Sequence, residues 1–283
     1  MSLAIEKKAD TEPDLPSPNK TGAKVIACWG SSGSGKSIVA TNLAFELASL
    51  GQRTILIDAD SYRPSIAALL GFTSNGSGIT AVLRLARAGR LTIDELRRLS
   101  EEIEFGGNSL QLITGMNAPT RWRELDGQAI SEMLEFLRGE FDYVVIDVAA
   151  ELEEGLYSDT AEISRNHASL EITRQADSVL ASFCSDPVGI SRFLWDVRDA
   201  AFDFLPIGNR VRSSVLGRNA ERQVRDTLFK LARLEVFAMV PEDGAALDAA
   251  QHRAQPLLLA AKSSKAREGI RQIAHLIMDQ CDK

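Results

Sequence analysis

The 283-residue sequence has few cysteines and few histidines, and they stand far apart. The three cysteines and three histidines include no CxxC or HExxH spacing, which disfavours a disulfide framework and a zinc site built at motif spacing. No uncharged apolar run approaches the roughly 18 residues that span a bilayer, and the charged N-terminal stretch is unlike a secretory signal. We therefore expect a soluble, cytoplasmic protein.

An excess of positive charge is also missing. With 32 basic and 39 acidic residues the net charge is −7, which disfavours a protein whose whole surface coats nucleic acid or anionic lipid. Hydrophobic residues make up 45% and charged residues 25%, so the chain can bury a core without disulfides or a structural metal. Residues 1–22 are rich in proline and charge and predict a flexible leader, and residues 23–283 predict a single domain.

Short apolar runs alternate with longer amphipathic stretches after Lys24. The runs are typical of strands covered on both faces, and they are Val25–Trp29, Thr54–Ile57, Leu110–Ile113, Tyr143–Val148, Ser178–Phe183, Leu205–Val211 and Val236–Val240. Helical periodicity follows Lys36 and also covers Leu125–Arg138 and Pro187–Ala201. This alternation predicts a three-layer α/β fold, with a mostly parallel twisted sheet of about seven to eight strands and helices on both faces.

A phosphate-binding motif follows the first predicted strand. Residues 30–37, GSSGSGKS, match GxxxxGK[ST] in full and precede an amphipathic helix. Glycines let backbone N–H groups surround an anion, and the helix N-terminus adds the positive end of its dipole. Lys36 would reach the β and γ phosphates, and the Ser37 hydroxyl would ligate Mg²⁺. A dinucleotide fingerprint is disfavoured because Gly33-x-Gly35 continues as Lys36-Ser37. The predicted nucleotide-binding residues here are Gly30, Ser31, Ser32, Gly33, Ser34, Gly35, Lys36, Ser37 and Ile38.

Two further apolar strands end in carboxylates. The second predicted strand runs into Asp58 and Asp60, and the fourth runs into Asp147. Because the carboxyl ends of parallel strands open into one crevice, Asp60 and Asp147 are expected beside the motif, where they would ligate Mg²⁺ together with Ser37. Lys36 and Asp60 are the predicted catalytic residues, with Asp60 orienting the attacking water. Asp58 either acts at the site with Lys36 and Asp60 or orients the loop without contacting the ligand.

These segments together resemble the MinD/ParA superfamily of P-loop ATPases, and the resemblance extends over residues 24–280. Residues 60–65 (DSYRPS), 69–71 (LLG) and 78–83 (GITAVL) are similar to the stretch that follows the second strand in this family. The resemblance implies the P-loop NTPase fold, binding of ATP or ADP with Mg²⁺, and a nucleotide-dependent homodimer. It also implies that Asn209 and Arg210 read the adenine, and that Pro241, Glu242 and Asp243 lie in a loop closing over the base.

Several segments look like the CpaE/TadZ-like proteins of actinobacteria. These segments are Arg121–Leu125, Arg165–Ala168, Ser185–Gly189, Asn209–Arg212 and Glu221–Gln223. The resemblance implies protein partners in a pilus or secretion apparatus, and a position at the cell pole or at the membrane periphery through those partners. Positioning of a chromosome or a septum is the broader setting of the superfamily.

Ser31 departs from the superfamily pattern, in which this loop position is typically a lysine that reaches the phosphates of the dimer partner. Because a cation delivered in this way stabilises transition-state charge, we expect slow ATP hydrolysis, or nucleotide binding used mainly as a switch. Arg63 or another arginine could supply the missing charge. The first alternative is a hydrolysis-deficient scaffold. The second is a bacterial tyrosine kinase domain, which Asp58–Pro64 resembles, but such domains usually end in a tyrosine cluster and no tyrosine follows Tyr157.

Two surface features have competing interpretations. Seven basic residues against two acidic ones between Arg210 and Arg233 are typical of a solvated helix face, and a DNA-binding patch is the less favoured alternative. The last predicted helix carries an apolar stripe that favours packing on the sheet over contact with a membrane surface. The stripe consists of Ile270, Ile273, Ala274 and Ile277. Cys28, Trp122 and Trp195 are expected to pack in the core.

Overall fold

The computed structural model describes residues 22–73, 76, 78–152, 164–198, 200 and 202–281. Within these residues, eight strands form one sheet in the order β3-β4-β2-β5-β1-β6-β7-β8. The strands are β1 (Lys24–Trp29), β2 (Thr54–Ala59), β3 (Glu101–Phe105), β4 (Asn108–Ile113), β5 (Tyr143–Val148), β6 (Ser178–Cys184), β7 (Leu205–Val211) and β8 (Ala238–Pro241). All neighbours pair in parallel except β3 and β4, so the predicted fold class is confirmed. Most of the predicted leader lies outside the described residues, and its division from the domain stays a prediction.

Helices connect the strands and cover the sheet. They are α1 (Lys36–Ser49), α2 (Ile66–Leu69), α3 (Gly78–Arg87), α4 (Ile93–Leu99), α5 (Gly127–Glu140), α6 (His167–Gln175), α7 (Pro187–Asp196), α8 (Ser213–Leu216), α9 (Ala220–Ala232), α10 (Gly244–Arg253), α11 (Leu257–Ala260) and α12 (Lys265–Cys281), with a 3-10 turn at Pro119–Glu124. In the described part of the chain, no helix is long and apolar enough to cross a lipid bilayer.

Two hydrophobic clusters lie on opposite faces of the sheet. Side chains of α3, α5, α6, α7 and α9 pack in one cluster, and side chains of α1 and α12 pack in the other. The apolar stripe of α12 is fully buried against α1 and the sheet, which confirms the predicted packing of the last helix. Cys28 is buried in β1 as expected, and Trp122 packs against the first cluster.

The sheet order places the functional strand ends together. β1 lies between β5 and β6, and β5 lies between β1 and β2, so the chain leaves β1 at the point where the connections diverge to either side. In open α/β sheets this divergence opens a crevice at the carboxyl ends of the strands. Asp147 of β5 is in register with Asp58 of β2 on one side and with Cys28 of β1 on the other.

Two expectations for the fold were wrong in detail, those for the end of α7 and for Trp195, and one strand was missed. Strand β3 was not predicted, because it is an antiparallel edge strand whose side chains are largely exposed and mostly glutamate. Helix α7 ends at Asp196, before the predicted end at Ala201, which lies outside the described residues. Phe202 packs edge-on against Trp29.

Trp195 was expected to pack in the core, but it is 73% exposed. The buried side chains of α7 are Ile190 and Phe193, and Trp195 is two positions beyond Phe193 in the chain. Because residues two apart in a helix lie on different faces, burial of Phe193 turns Trp195 toward solvent.

Candidate nucleotide-binding site

The predicted phosphate loop connects β1 directly to α1. Gly35 precedes the helix in a left-handed conformation (φ 85°), and no side chain caps the first turn of α1. The N–H groups at this helix terminus are therefore not satisfied by a side chain and can bind an anion. A Cβ atom on Gly35 would lie 2.4 Å from Nδ2 of Asn209, so an alanine here would have to displace the Asn209 amide as well as adopt a positive φ.

Lys36 opens α1 and forms two buried ion pairs. Its Nζ atom lies 2.8 Å from Oδ2 of Asp60 and 3.3 Å from Oδ1 of Asp147. Burial alone would lower the pKa of Lys36, but the two carboxylates raise this pKa above its ordinary value. The side chain is therefore a permanently charged ammonium, and the structure brings together three of the predicted site residues.

Asp60 is held from two sides. Its Oδ2 atom accepts from Lys36, and its Oδ1 atom accepts backbone N–H bonds from Tyr62 and Arg63, both at 2.8 Å. Burial alone would raise the pKa of Asp60, but the charge and hydrogen bond of Lys36 and the two N–H donors hold it below the ordinary value. Asp60 is therefore a carboxylate at neutral pH, as a metal ligand or a water-orienting group must be.

Asp58 supports the loop after β2 from behind. Its Oδ2 atom accepts N–H bonds from Ser65 (2.8 Å) and Ile66 (2.9 Å), and its Oδ1 atom accepts from the Asp60 N–H (3.2 Å). Burial and the charge of Asp147 raise the pKa of Asp58 to about 7, although the backbone donors oppose this. Of the two interpretations of Asp58, the structure favours the supporting one.

Asp147 and Ser37 complete a set of oxygen donors beside Lys36. Burial raises the pKa of Asp147 above its ordinary value, although Lys36 and the Ser37 hydroxyl both act to lower it. The Oδ2 atom of Asp147 is buried and has no hydrogen-bond partner among the described residues. Carboxylate and hydroxyl oxygens are the ligands Mg²⁺ prefers, and a buried oxygen without a partner can accept one more contact. The donor set of Ser37, Asp60 and Asp147 therefore fits a magnesium ion.

Asn209 and Arg210 stand at the end of β7, on the other side of the loop. The Nδ2 atom of Asn209 donates to the carbonyl oxygen of Ser34 at 2.8 Å, so this side chain holds the phosphate loop in place. Arg210 pairs with Oε1 of Glu242 at 3.2 Å, and Arg212 donates to the same oxygen at 2.6 Å.

Pro241 ends β8, and Glu242 and Asp243 follow it before α10 begins. Asp243 caps α10 through the Ala246 N–H, and it also accepts from the Ser264 hydroxyl at 2.8 Å. These contacts hold the loop in place beside Arg210. The residues predicted to contact the base therefore lie together at the ends of β7 and β8.

Ser31 contacts α7. Its hydroxyl donates to Oδ2 of Asp196, the last residue of that helix. The position that is typically lysine in the superfamily is therefore a short neutral side chain bound within its own chain.

A clamp that the sequence did not reveal ties the loop after β2 to the segment before α6. Arg165 donates from Nε and Nη2 to the carbonyl oxygen of Ser61 (2.8 and 2.6 Å), and its Cζ atom lies 4.2 Å from the centre of the Tyr62 ring. The Tyr62 hydroxyl donates to Oδ1 of Asn166 at 2.8 Å. Because the partners are 104 residues apart, no local pattern could have indicated them.

The loop and strand ends enclose a cleft of about 280 Å³. Its lining combines the phosphate loop, the loop after β2 and the segment after β5, and consists of Ser32, Gly33, Gly35, Lys36, Ser37, Ile38, Asp60, Tyr62, Arg63, Ser65, Leu69, Ala150, Glu151 and Gln251. Within the described residues, no three or more histidine, cysteine or acidic side chains form a metal site by themselves, whereas the magnesium donor set named above has two carboxylates and one hydroxyl.

Most of the basic residues between Arg210 and Arg233 form ion pairs or hydrogen bonds within the chain. Besides the pairs with Glu242, Arg225 donates to the carbonyl oxygen of Val236 at 2.6 Å, and Arg222 pairs with Asp226 at 3.6 Å. These contacts support the interpretation of a solvated surface.

Comparisons with known proteins agree with this geometry. A family model described as ParA, NUBPL iron-transfer P-loop NTPase, matches residues 21–150. A ParA-family ATPase of Chlorobium tepidum has a TM-score of 0.72 at 16% identity, covering 89% of this chain and 98% of that chain. The chain has the P-loop NTPase fold of the MinD and ParA proteins. The MinD protein of Pyrococcus horikoshii, solved with Mg-ADP, has a TM-score of 0.66 at 17% identity over 90% of this chain and 96% of that chain.

Two sequence relatives are a MinD protein and an iron-sulfur cluster carrier protein. The septum site-determining protein MinD of Synechocystis is 24% identical over 261 residues, covering 90% of this chain and 89% of that protein. An iron-sulfur cluster carrier protein of Aquifex aeolicus is 31% identical over 134 residues, which are 45% of this chain and 33% of that protein. The chain therefore matches about a third of the length of this second relative.

Proposed function

We propose that the protein binds MgATP, hydrolyses it slowly and acts as a nucleotide switch in spatial positioning or assembly. The observation that carries this proposal is the placement of Lys36, at the uncapped start of α1, between the carboxylates of Asp60 and Asp147. A buried ammonium paired with two carboxylates is poised to exchange one partner for a phosphate oxygen.

Each part of the cleft has a role in this proposal. The N–H groups of the phosphate loop and the first turn of α1 bind the phosphates, and Lys36 moves onto their outer oxygens. Ser37, Asp60 and Asp147 would hold Mg²⁺, which neutralises phosphate charge when bound. Asp60 orients the water that attacks the terminal phosphorus, and its low pKa keeps it in the charged form that accepts hydrogen bonds from water.

The adenine would lie beside the ends of β7 and β8. Asn209 and Arg210 would contact the base, with Pro241, Glu242 and Asp243 forming the loop that closes over it. The ion pair of Arg210 and Glu242 supports this, because it joins the two segments at that edge.

Slow hydrolysis follows from Ser31. A neutral hydroxyl that donates to Asp196 of the same chain cannot deliver a cation to the phosphates of another copy. A hydrolysis-deficient nucleotide-binding scaffold is therefore the second candidate, and it rests on the same residue.

The cellular setting is inferred from resemblance. Similarity to MinD and ParA proteins supports a nucleotide-dependent homodimer that recruits protein partners in the cytoplasm. The CpaE/TadZ-like segments favour a pilus or secretion apparatus, at the cell pole or at the membrane periphery, over a chromosome or septum system. The iron-sulfur cluster carrier relative matches less than half of this chain. A nucleotide-binding segment common to the two proteins would account for that match without a common cellular role.

Sedimentation together with phosphate release tests the switch. We expect the monomer mass with ADP, twice that mass with a non-hydrolysable ATP analogue, and slow phosphate release from ATP. An unchanged mass with no phosphate release would favour the scaffold. Transfer of labelled phosphate to a tyrosine peptide would instead support the kinase alternative.

A further inference from the structure

We propose that Arg63 is a second phosphate-binding cation of the cleft, acting beside Lys36 on the outer phosphates of a nucleoside triphosphate. This inference rests on the proposed function, since it assigns a further binding residue to the same site. It identifies which residue of the chain itself supplies the positive charge that Ser31 does not.

The first argument is position. Lys36 and Arg63 are the basic residues among the described residues that line the cleft. The N–H of Arg63 donates to Oδ1 of Asp60 at 2.8 Å, so its backbone is fixed against the carboxylate that also binds Lys36.

The loop that carries Arg63 is rigid on both sides. Before it, Arg165 holds the Ser61 carbonyl oxygen through two hydrogen bonds. After it, Asp58 accepts the N–H groups of Ser65 and Ile66. Because the backbone is held from both ends, only the side chain of Arg63 has to reorient when a phosphate enters, and the entropic cost of binding is small.

The second argument is charge. Lys36 is already shared between Asp60 and Asp147, and Glu151 adds another carboxylate to the lining. Arg63 is exposed, and among the described residues no carboxylate forms an ion pair with it. Its guanidinium therefore has no charged partner in this part of the chain that a phosphate would have to displace.

The third argument is chemistry. A guanidinium presents a planar set of N–H donors that matches two phosphate oxygens at once, and it is more weakly hydrated than an ammonium. Arginine is thus suited to a solvent-facing position at the mouth of a phosphate site, where a strongly hydrated lysine would bind less tightly.

Competition binding of ATP, ADP and AMP in the presence of Mg²⁺ tests the proposal with Arg63→Ala and Arg63→Lys. The matched control is Arg90→Ala, which removes an exposed arginine beyond the end of α3 and outside the cleft lining. We expect Arg63→Ala to weaken ATP binding about tenfold or more, because a charge-assisted hydrogen bond to the outer phosphates is lost. AMP binding should change little, Arg63→Lys should lie in between, and Arg90→Ala should match the wild type.

Lys36→Gln in the same assay distinguishes a failure of the role proposed for Arg63 from a failure of the proposed nucleotide site. If Lys36→Gln loses ATP affinity while Arg63→Ala behaves like Arg90→Ala, the role of Arg63 is refuted and the nucleotide site stands. If the wild type binds no nucleotide, both inferences fail. Equal weakening of ATP and AMP by Arg63→Ala also refutes it, because that pattern places the arginine away from the outer phosphates.

Discussion

The ammonium of Lys36 lies 2.8 Å from Oδ2 of Asp60, and each group holds the other in its charged form. The pair is buried beneath the cleft, with about 9% of each side chain exposed. In the proposed function, Lys36 would exchange Asp60 for a phosphate oxygen, which would free Oδ2 of Asp60 for a metal ion or a water. Binding of a nucleotide and assembly of the hydrolytic site would then be one rearrangement.

Asp60→Asn separates binding from hydrolysis. The amide keeps the size of the side chain but removes the charge that holds Lys36, so we expect the affinity for ATP measured without Mg²⁺ to be unchanged or higher. Phosphate release should fall by about 100-fold, within the range lost when a general base is removed. Asp248→Asn, at an exposed position of α10, is the matched control for both assays. A strong loss of ATP affinity without Mg²⁺ in Asp60→Asn, but not in Asp248→Asn, would contradict the assigned role.

Gly35→Ala and Gly33→Ala test the packing of the phosphate loop without any ligand. Both glycines have positive φ angles, 85° and 83°, so each alanine costs about 1–2 kcal/mol of backbone strain. A Cβ atom at position 33 meets open space, whereas at position 35 it lies 2.4 Å from Nδ2 of Asn209. We expect Gly35→Ala to lower the free energy of unfolding more than Gly33→Ala does. Urea titration measures the difference, and equal losses would show that Asn209 does not confine the loop.

The raised pKa of Asp58 predicts that the stability of the fold depends on pH. Its pKa of about 7 in the folded state lies above the ordinary value of 3.8, so between these values the folded chain takes up a proton that the unfolded chain does not. The free energy of unfolding should therefore increase as the pH falls from 8 to 5, by at most about 1.4 kcal/mol per pH unit from this group.

Asp58→Asn isolates this contribution, because the wild type and the variant differ only in the group at position 58. We expect the difference in unfolding free energy between wild type and variant to shift in favour of the wild type as the pH falls. A difference that is constant between pH 8 and 5 would show that Asp58 does not titrate in this range.

Much of the architecture was predictable because its signals are local. The central strands are continuous apolar runs, and the phosphate loop is a contiguous motif between a strand and a helix. β3 escaped prediction because an edge strand with exposed glutamates lacks the apolar run that marks a central strand. Trp195 was misjudged because composition does not determine which face of α7 the sheet buries.

The site was predictable to the extent that topology brings strand ends together. Lys36, Asp60 and Asp147 meet as expected, because β1, β2 and β5 run in parallel side by side. The contact of Asn209 with the Ser34 carbonyl and the clamp of Arg165 on Tyr62 depend on side-chain directions across distant segments. Such long-range contacts leave no spacing in the sequence, so only the structure assigns them.

The most direct test of the central claim is calorimetric titration of MgATP into the wild type and into Lys36→Gln. We predict one ATP bound per wild-type chain and an affinity at least about tenfold lower in the variant, since a charged hydrogen bond to phosphate is lost. Removing Lys36 also leaves two buried carboxylates without a cation, so circular dichroism must first show that the variant is folded at the titration temperature. Equal affinity in the two folded proteins, or no binding to the wild type, would contradict the account.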